Sequence, residues 1–127
     1  MTKELTPFEV IGKDRLSNLV EIFYKNVHEH PLLKPIFPSD LTETIRKQKQ
    51  FLTQFLGGPS LYTEEHGHPM LRARHIPFEI TPERANAWLQ CMNAAMDEVQ
   101  LEGDIREYFF HRLMMTAEHM VNTPSHE

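Results

Sequence analysis

The stretch His66-Gly67-His68-Pro69-Met70-Leu71-Arg72-Ala73-Arg74-His75-Ile76-Pro77-Phe78 sets three histidines and two arginines among apolar residues and prolines. Leu71 lies one helical turn before His75, and Phe78 follows it at a similar spacing. A short helix here would set one imidazole on an apolar face, with Arg72 and Arg74 pointing to neighbouring sides.

That pattern suits an iron porphyrin. Imidazole is a standard axial ligand for heme iron, and guanidinium pairs well with carboxylates such as propionates. A lone histidine on an apolar face is also commonly an ordinary core residue. The block by itself therefore leaves both readings open. A zinc site on His66, His68 and His75 fits less well, because the spacing matches no standard zinc pattern and no cysteine lies nearby.

Outward from the block, helical periodicity dominates and period-2 alternation is nowhere sustained. A short helix is predicted over Pro7 to Ile11, ending at Gly12. A second runs from Lys13 to about His28, with Leu16, Leu19, Val20, Phe23 and Val27 on one face. Leu32 to Phe37 reads as a tight helical turn between Pro31 and Pro38. Ser39 then caps a helix from Asp40 to Leu56, which Gly57-Gly58-Pro59 stops. A loop follows to Glu65, and after it the histidine-bearing helix. Thr81-Pro82 is an N-cap followed by proline at the first helical position, opening a helix to about Val99. Trp88, Met92, Ala95, Met96 and Val99 face inward there. The last helix opens around Gly103, with Asp104 and Glu107 spaced as an aspartate version of the capping box. It presents Ile105, Phe109, Leu113, Ala117 and Val121, and reaches about Asn122.

The expected architecture is one all-α domain over residues 1–127. A 127-residue chain with 40% hydrophobic residues suffices for one core. A net charge of −5 argues against a general nucleic-acid binder. Cys91 stands alone, so no internal disulfide is expected and a reducing compartment fits. The first residues, Met1-Thr2-Lys3-Glu4-Leu5, lack the apolar region of a signal peptide. No apolar run approaches the length of a membrane span, and a soluble, cytoplasmic protein is expected.

Some polar or amphipathic residues interrupt the apolar faces. In the helix from Asp40, Thr44 and Gln48 share the stripe of Leu41, Phe51, Leu52 and Phe55, one turn apart. A buried glutamine needs hydrogen-bond partners. Gln48 could cap a backbone group, lie at the edge of the stripe, or face a ligand. Tyr24 and Trp88 each combine an apolar body with one donor, and ordinary core packing accounts for each alone. With Thr44 and Gln48 they would aim several donors from three helices at one interior point. His28 and His30 read as surface or helix-end residues, where an imidazolium interacts well with the helix dipole. His111, His119 and His126 have no close acidic or cysteine partners at ligand spacing, and all five read as non-functional.

These residues carry a resemblance. Phe23-Tyr24, His30-Pro31-Leu32 through Phe37-Pro38, Arg46 through Leu52, Gly57-Gly58-Pro59, the His66–His75 block and Ala87-Trp88 together resemble the truncated hemoglobins, specifically their second group. The resemblance covers essentially the whole chain. It implies a two-over-two helical sandwich around heme b. His75 then matches the proximal iron ligand, and Tyr24, Thr44, Gln48 and Trp88 match the distal pocket. Phe37 matches the phenylalanine packed on the porphyrin, with Phe51, Leu52, Leu71 and Phe78 as further heme contacts. Lys47, Tyr62 and Arg74 match positions that reach the propionates, and Arg72 is a further candidate. Some members carry a second tyrosine where this chain has Phe37, so chemistry that needs two tyrosines is not expected. The Leu71 carbonyl, one turn before His75, is the expected acceptor for the ring nitrogen that does not bind iron.

The functional expectation is reversible, high-affinity binding of oxygen, and of carbon monoxide and nitric oxide, at a five-coordinate ferrous iron. The alternative is a heme-dependent redox enzyme, peroxidase-like or nitric oxide dioxygenase-like, that needs an external reductase. A monomer or weak dimer is expected.

Overall fold

The computed structural model describes residues 5–125; Met1–Glu4, His126 and Glu127, and the side chain of Arg72, lie outside the described residues. The sequence readings of the leader, of His126 and of Arg72 as a propionate partner concern those parts. Among the described residues there are seven α-helices and no strand. They are α1 (Pro7–Ile11), α2 (Lys13–Glu29), α3 (Thr42–Phe55), α4 (Leu61–His66), α5 (Leu71–His75), α6 (Pro82–Glu98) and α7 (Asp104–Met120), with a 3-10 turn at Lys34–Ile36 after α2. None of them is long and apolar enough to cross a membrane.

Helix α2 packs most extensively on α6, α6 lies beside α7, and α2 lies beside α3. The pair α2/α3 thus covers the pair α6/α7, the two-over-two sandwich. Leu19, Val20, Phe23 and Val27 of α2 meet Met92, Ala95 and Met96 of α6 and Phe109 of α7 in a core that solvent does not reach. Each large apolar side chain buried this way contributes roughly 1.5–3 kcal/mol. The short helices α4 and α5 sit at the edge of the sandwich, α4 against α3 and α5 against α7.

Three local readings change. Helix α3 begins at Thr42, not at Asp40, and Ser39 does not cap it. The Asp40 carboxylate instead accepts from the Thr42 N–H at 3.0 Å and the Thr42 hydroxyl at 2.7 Å, a side-chain turn that holds the chain outside the helix. At α7 the cap position belongs to Gly103 (φ 79°), with no side-chain cap. Asp104 is already the first helical residue, so its charge acts through the helix dipole. The capping box forms at α1, where the Thr6 hydroxyl accepts from the Glu9 N–H and the Glu9 carboxylate accepts from the Thr6 N–H, both at 3.1 Å. The third change is α4, which the sequence presents as loop. Its six residues are too few to hold a helix by propensity. Side chains of α3 supply what is missing: the Gln54 carboxamide accepts from the otherwise unpaired Thr63 N–H at 3.0 Å and donates to the Thr63 hydroxyl at 2.7 Å.

Candidate functional site

Between the two layers lies a cavity of about 400 Å³, the size of a small-molecule or cofactor site. Tyr24 of α2 faces it, and so do Leu33, Ile36, Phe37 and Pro38 of the following turn. Helix α3 contributes Thr44, Lys47, Gln48, Phe51 and Phe55, and α4 contributes Tyr62. Leu71, Arg74 and His75 come from α5, Phe78 and Ile80 from the segment after it, and Arg84, Ala85 and Trp88 from α6. Leu113, Thr116, Ala117 and Met120 of α7 complete the lining.

The imidazole of His75 has a defined tautomer. Its Nδ1 lies 2.6 Å from the Leu71 carbonyl oxygen. A carbonyl only accepts, so Nδ1 carries the proton and Nε2 keeps its lone pair. That is the state a metal-ligating histidine needs. Met70, in the left-handed region at φ 47°, turns the chain into α5 and so aims this helix at the cavity.

Four polar or amphipathic side chains of the lining have no hydrogen-bond partner among the described residues. They are Tyr24, Thr44, Gln48 and Trp88, and Tyr24 is only 4% exposed. Burial pushes the Tyr24 hydroxyl well above its ordinary pKa, so it stays a neutral donor. Gln48 is half-buried and caps no backbone group. Phe23 organises two of these donors, meeting Tyr24 edge-on at 4.8 Å and Trp88 edge-on at 4.9 Å between ring centroids. Phe37 also meets the Tyr24 ring edge-on, at 5.9 Å between centroids.

Three cations, Lys47, Arg74 and Arg84, line the same space, and Arg84 is paired with Glu79. Lys47 and Arg74 form no ion pair with the described residues, and Arg74 lies 5.6 Å from the centre of the Tyr62 ring. His66 and His68 are engaged locally. His66 Nε2 lies 2.8 Å from the Gln50 side-chain oxygen and its ring meets Tyr62 at a tilt, 4.8 Å between centroids, while His68 Nδ1 accepts from the Met70 N–H at 3.0 Å.

A family model of bacterial-like globins matches residues 6–122. The chain belongs to this family, among the group II truncated hemoglobins. This globin is 73% identical over 116 residues to the group 2 truncated hemoglobin YjbI of Bacillus subtilis, covering 91% of this chain and 88% of that one. Its fold superposes on the group II truncated hemoglobin of Bacillus anthracis with a TM-score of 0.97 and 66% identity, covering 98% of this chain and 96% of that one. A second solved structure, described as a truncated oxygen-avid haemoglobin from Bacillus subtilis, gives a TM-score of 0.92 and 72% identity over 93% of this chain and all (100%) of that one. Membership in the family implies heme and diatomic gases such as oxygen.

The residues of this globin fit that cofactor. One imidazole is held with a free Nε2, the lining is largely apolar and aromatic, and two cations without ion-pair partners are available for carboxylates. Of the residues singled out in the sequence, Tyr24, Phe37, Thr44, Lys47, Gln48, Phe51, Tyr62, Leu71, Arg74, His75, Phe78 and Trp88 line one cavity. Leu52 does not. It points from α3 into the core and is fully buried there. On α7, Leu113 and Ala117 were legible only as members of a core stripe, and Thr116 and Met120 lay outside that stripe. Arg84 gave no signal: its side chain donates to the backbone carbonyls of Leu32 at 2.9 Å and Glu79 at 2.6 Å and lies 3.7 Å from the Glu79 carboxylate, contacts that depend on tertiary packing.

Proposed function

We propose that this globin holds heme b through His75 Nε2 and binds oxygen reversibly and with high affinity. When bound, heme supplies an iron with an open coordination position for a diatomic gas. The protein's part is to fix the imidazole, exclude bulk water and offer donors. Leu71 holds the Nδ1 proton of His75 and so keeps Nε2 available. All of these residues line the cavity: Lys47, Tyr62 and Arg74 serve in this reading as propionate partners, and Phe37, Phe51, Leu71 and Phe78 as contacts of the ring.

A gas that gains negative charge in the cavity meets the Tyr24 O–H and the Trp88 N–H as donors. Thr44 and Gln48, one turn apart on α3, line the same cavity and take the role of orienting that network. The observation that carries this reading is that all four side chains line the cavity of His75 and have no hydrogen-bond partner among the described residues. At about 1 kcal/mol per donor, two or three donors give roughly a hundredfold in affinity. Most of that is expected in slower release.

Stopped-flow release of oxygen tests the reading. Tyr24→Phe and Trp88→Phe should each accelerate release by roughly tenfold, the equivalent of one hydrogen bond. Unchanged rates in both variants would refute the donor account.

A further inference from the structure

Helix α5 carries the imidazole but spans only Leu71–His75, too short to hold its own position. Its C-terminal end is held instead by a residue far along the chain. The Asn122 carboxamide donates from Nδ2 to the His75 carbonyl at 3.1 Å and to the Phe78 carbonyl at 2.9 Å. Its Oδ1 accepts from the Ile80 N–H at 3.0 Å and from the Thr123 hydroxyl at 2.7 Å. The main chain adds a further tie, with the Asn122 N–H donating to the Ile80 carbonyl at 3.0 Å. Both protons of the amide and its oxygen are therefore spent on the turn that leaves α5. The His75 carbonyl is one that the helix end leaves without an intrahelical partner, and Phe78 N–H supplies its other bond at 3.0 Å.

The chemistry is specific to asparagine. Aspartate has nearly the same shape but would set a carboxylate oxygen against two carbonyl oxygens. Alanine would release the turn altogether. Solvent reaches Asn122, so no single bond is strong, but four of them act on one short turn.

We propose that Asn122 is a positioning residue for His75: by clamping the end of α5 to the end of α7 it sets the direction in which the imidazole meets the cofactor. The proposal rests on the assignment of His75 as the iron ligand. Partners that hold a metal ligand from outside the coordination sphere typically change metal affinity by roughly 10–100-fold when removed.

The test uses heme-loaded protein and resonance Raman spectroscopy of the ferrous, ligand-free state. Asn122→Ala and Asn122→Asp should shift and broaden the iron–imidazole stretching band, and heme transfer to apomyoglobin should quicken by roughly tenfold or more. Asn122→Gln keeps the amide one methylene further out, and should fall between wild type and alanine. Thr6→Ala serves as the control, since it removes the α1 cap and lowers the melting temperature without touching α5. Its band should stay at the wild-type position. A wild-type band in Asn122→Ala and Asn122→Asp, with only a lowered melting temperature, would overturn the proposal and leave Asn122 a structural staple. A wild-type protein without an iron–imidazole band would overturn the ligand assignment itself, and the proposal with it.

Discussion

Arg46 grips both carboxylate oxygens of Glu65, Nη1 to Oε1 at 2.9 Å and Nη2 to Oε2 at 2.6 Å. Glu65 belongs to α4, the helix that brings Tyr62 to the cavity, and Arg46 belongs to α3, which carries Thr44, Lys47 and Gln48. The pair fastens these two parts of the site. Gln50 adds a bond to Glu65 at 3.1 Å, and Glu43 shares the same guanidinium.

An acid-sensitivity prediction follows from this network. Hydrogen bonds from Arg46 first, then Gln50, lower the Glu65 carboxyl from its ordinary 4.5 to about 2. A carboxylate that ionises more easily in the folded chain stabilises it above the unfolded pKa, and loses that contribution as pH falls from about 4.5 toward 2. Glu43 is lowered too, mainly by its hydrogen bond from Arg46, and adds in the same direction. The melting temperature of the wild type should therefore drop more steeply through this window than that of Glu65→Gln. Parallel slopes in the two proteins would show that the network does not contribute.

His75→Gly should lose the heme absorption of the wild type, in band position or in retained intensity, because no other described imidazole lines the cavity. Added imidazole should restore the spectrum in part. A Soret band unaltered by the substitution would sink the assignment of His75.

Leu52→Ala should destabilise the apoprotein by about 2–5 kcal/mol, as large-to-small changes at fully buried leucines do. Denaturant unfolding measures it. Because Leu52 faces the core and not the cavity, the oxygen release rate of the surviving folded protein should match the wild type. A changed release rate at unchanged stability would place Leu52 against the cofactor after all.

Gly58→Ala should cost about 1–3 kcal/mol through overpacking. A Cβ there would lie 2.8 Å from Phe8 Cδ2 and 2.9 Å from both Phe8 Cγ and Thr53 Cγ2. The neighbours are an aromatic ring and the side chain of the buried Thr53, and the ring cannot swing clear as the end of a flexible chain would. A melting temperature equal to wild type would mean that α1 shifts freely on the end of α3.

Much of the fold was readable along the chain, where the signal was local. The bounds of α1 match the sequence reading, since proline at its start and Gly12 at its end act on neighbouring atoms. Thr81 and Pro82 open α6 as read, with the Thr81 hydroxyl accepting from the Arg84 N–H at 3.1 Å. The Leu71 carbonyl lies where one helical turn places it, within reach of His75 Nδ1. Helix α4 was not readable, because Gln54 and Arg46, which hold it, stand on another helix.

The sequence by itself determined which residues could do the chemistry. One imidazole on an apolar face, a glutamine and a threonine in an apolar stripe, and a tyrosine and a tryptophan on two further helices are properties of local order and spacing. Only the tertiary structure decided that they share a cavity, that Leu52 turns away from it into the core, and that α7 lines its floor as well as filling the core. It also decided what holds the imidazole. The tie from Asn122 to His75 spans 47 residues, and hydrogen bonds of that kind depend on how helices pack, which helical spacing along one segment does not encode.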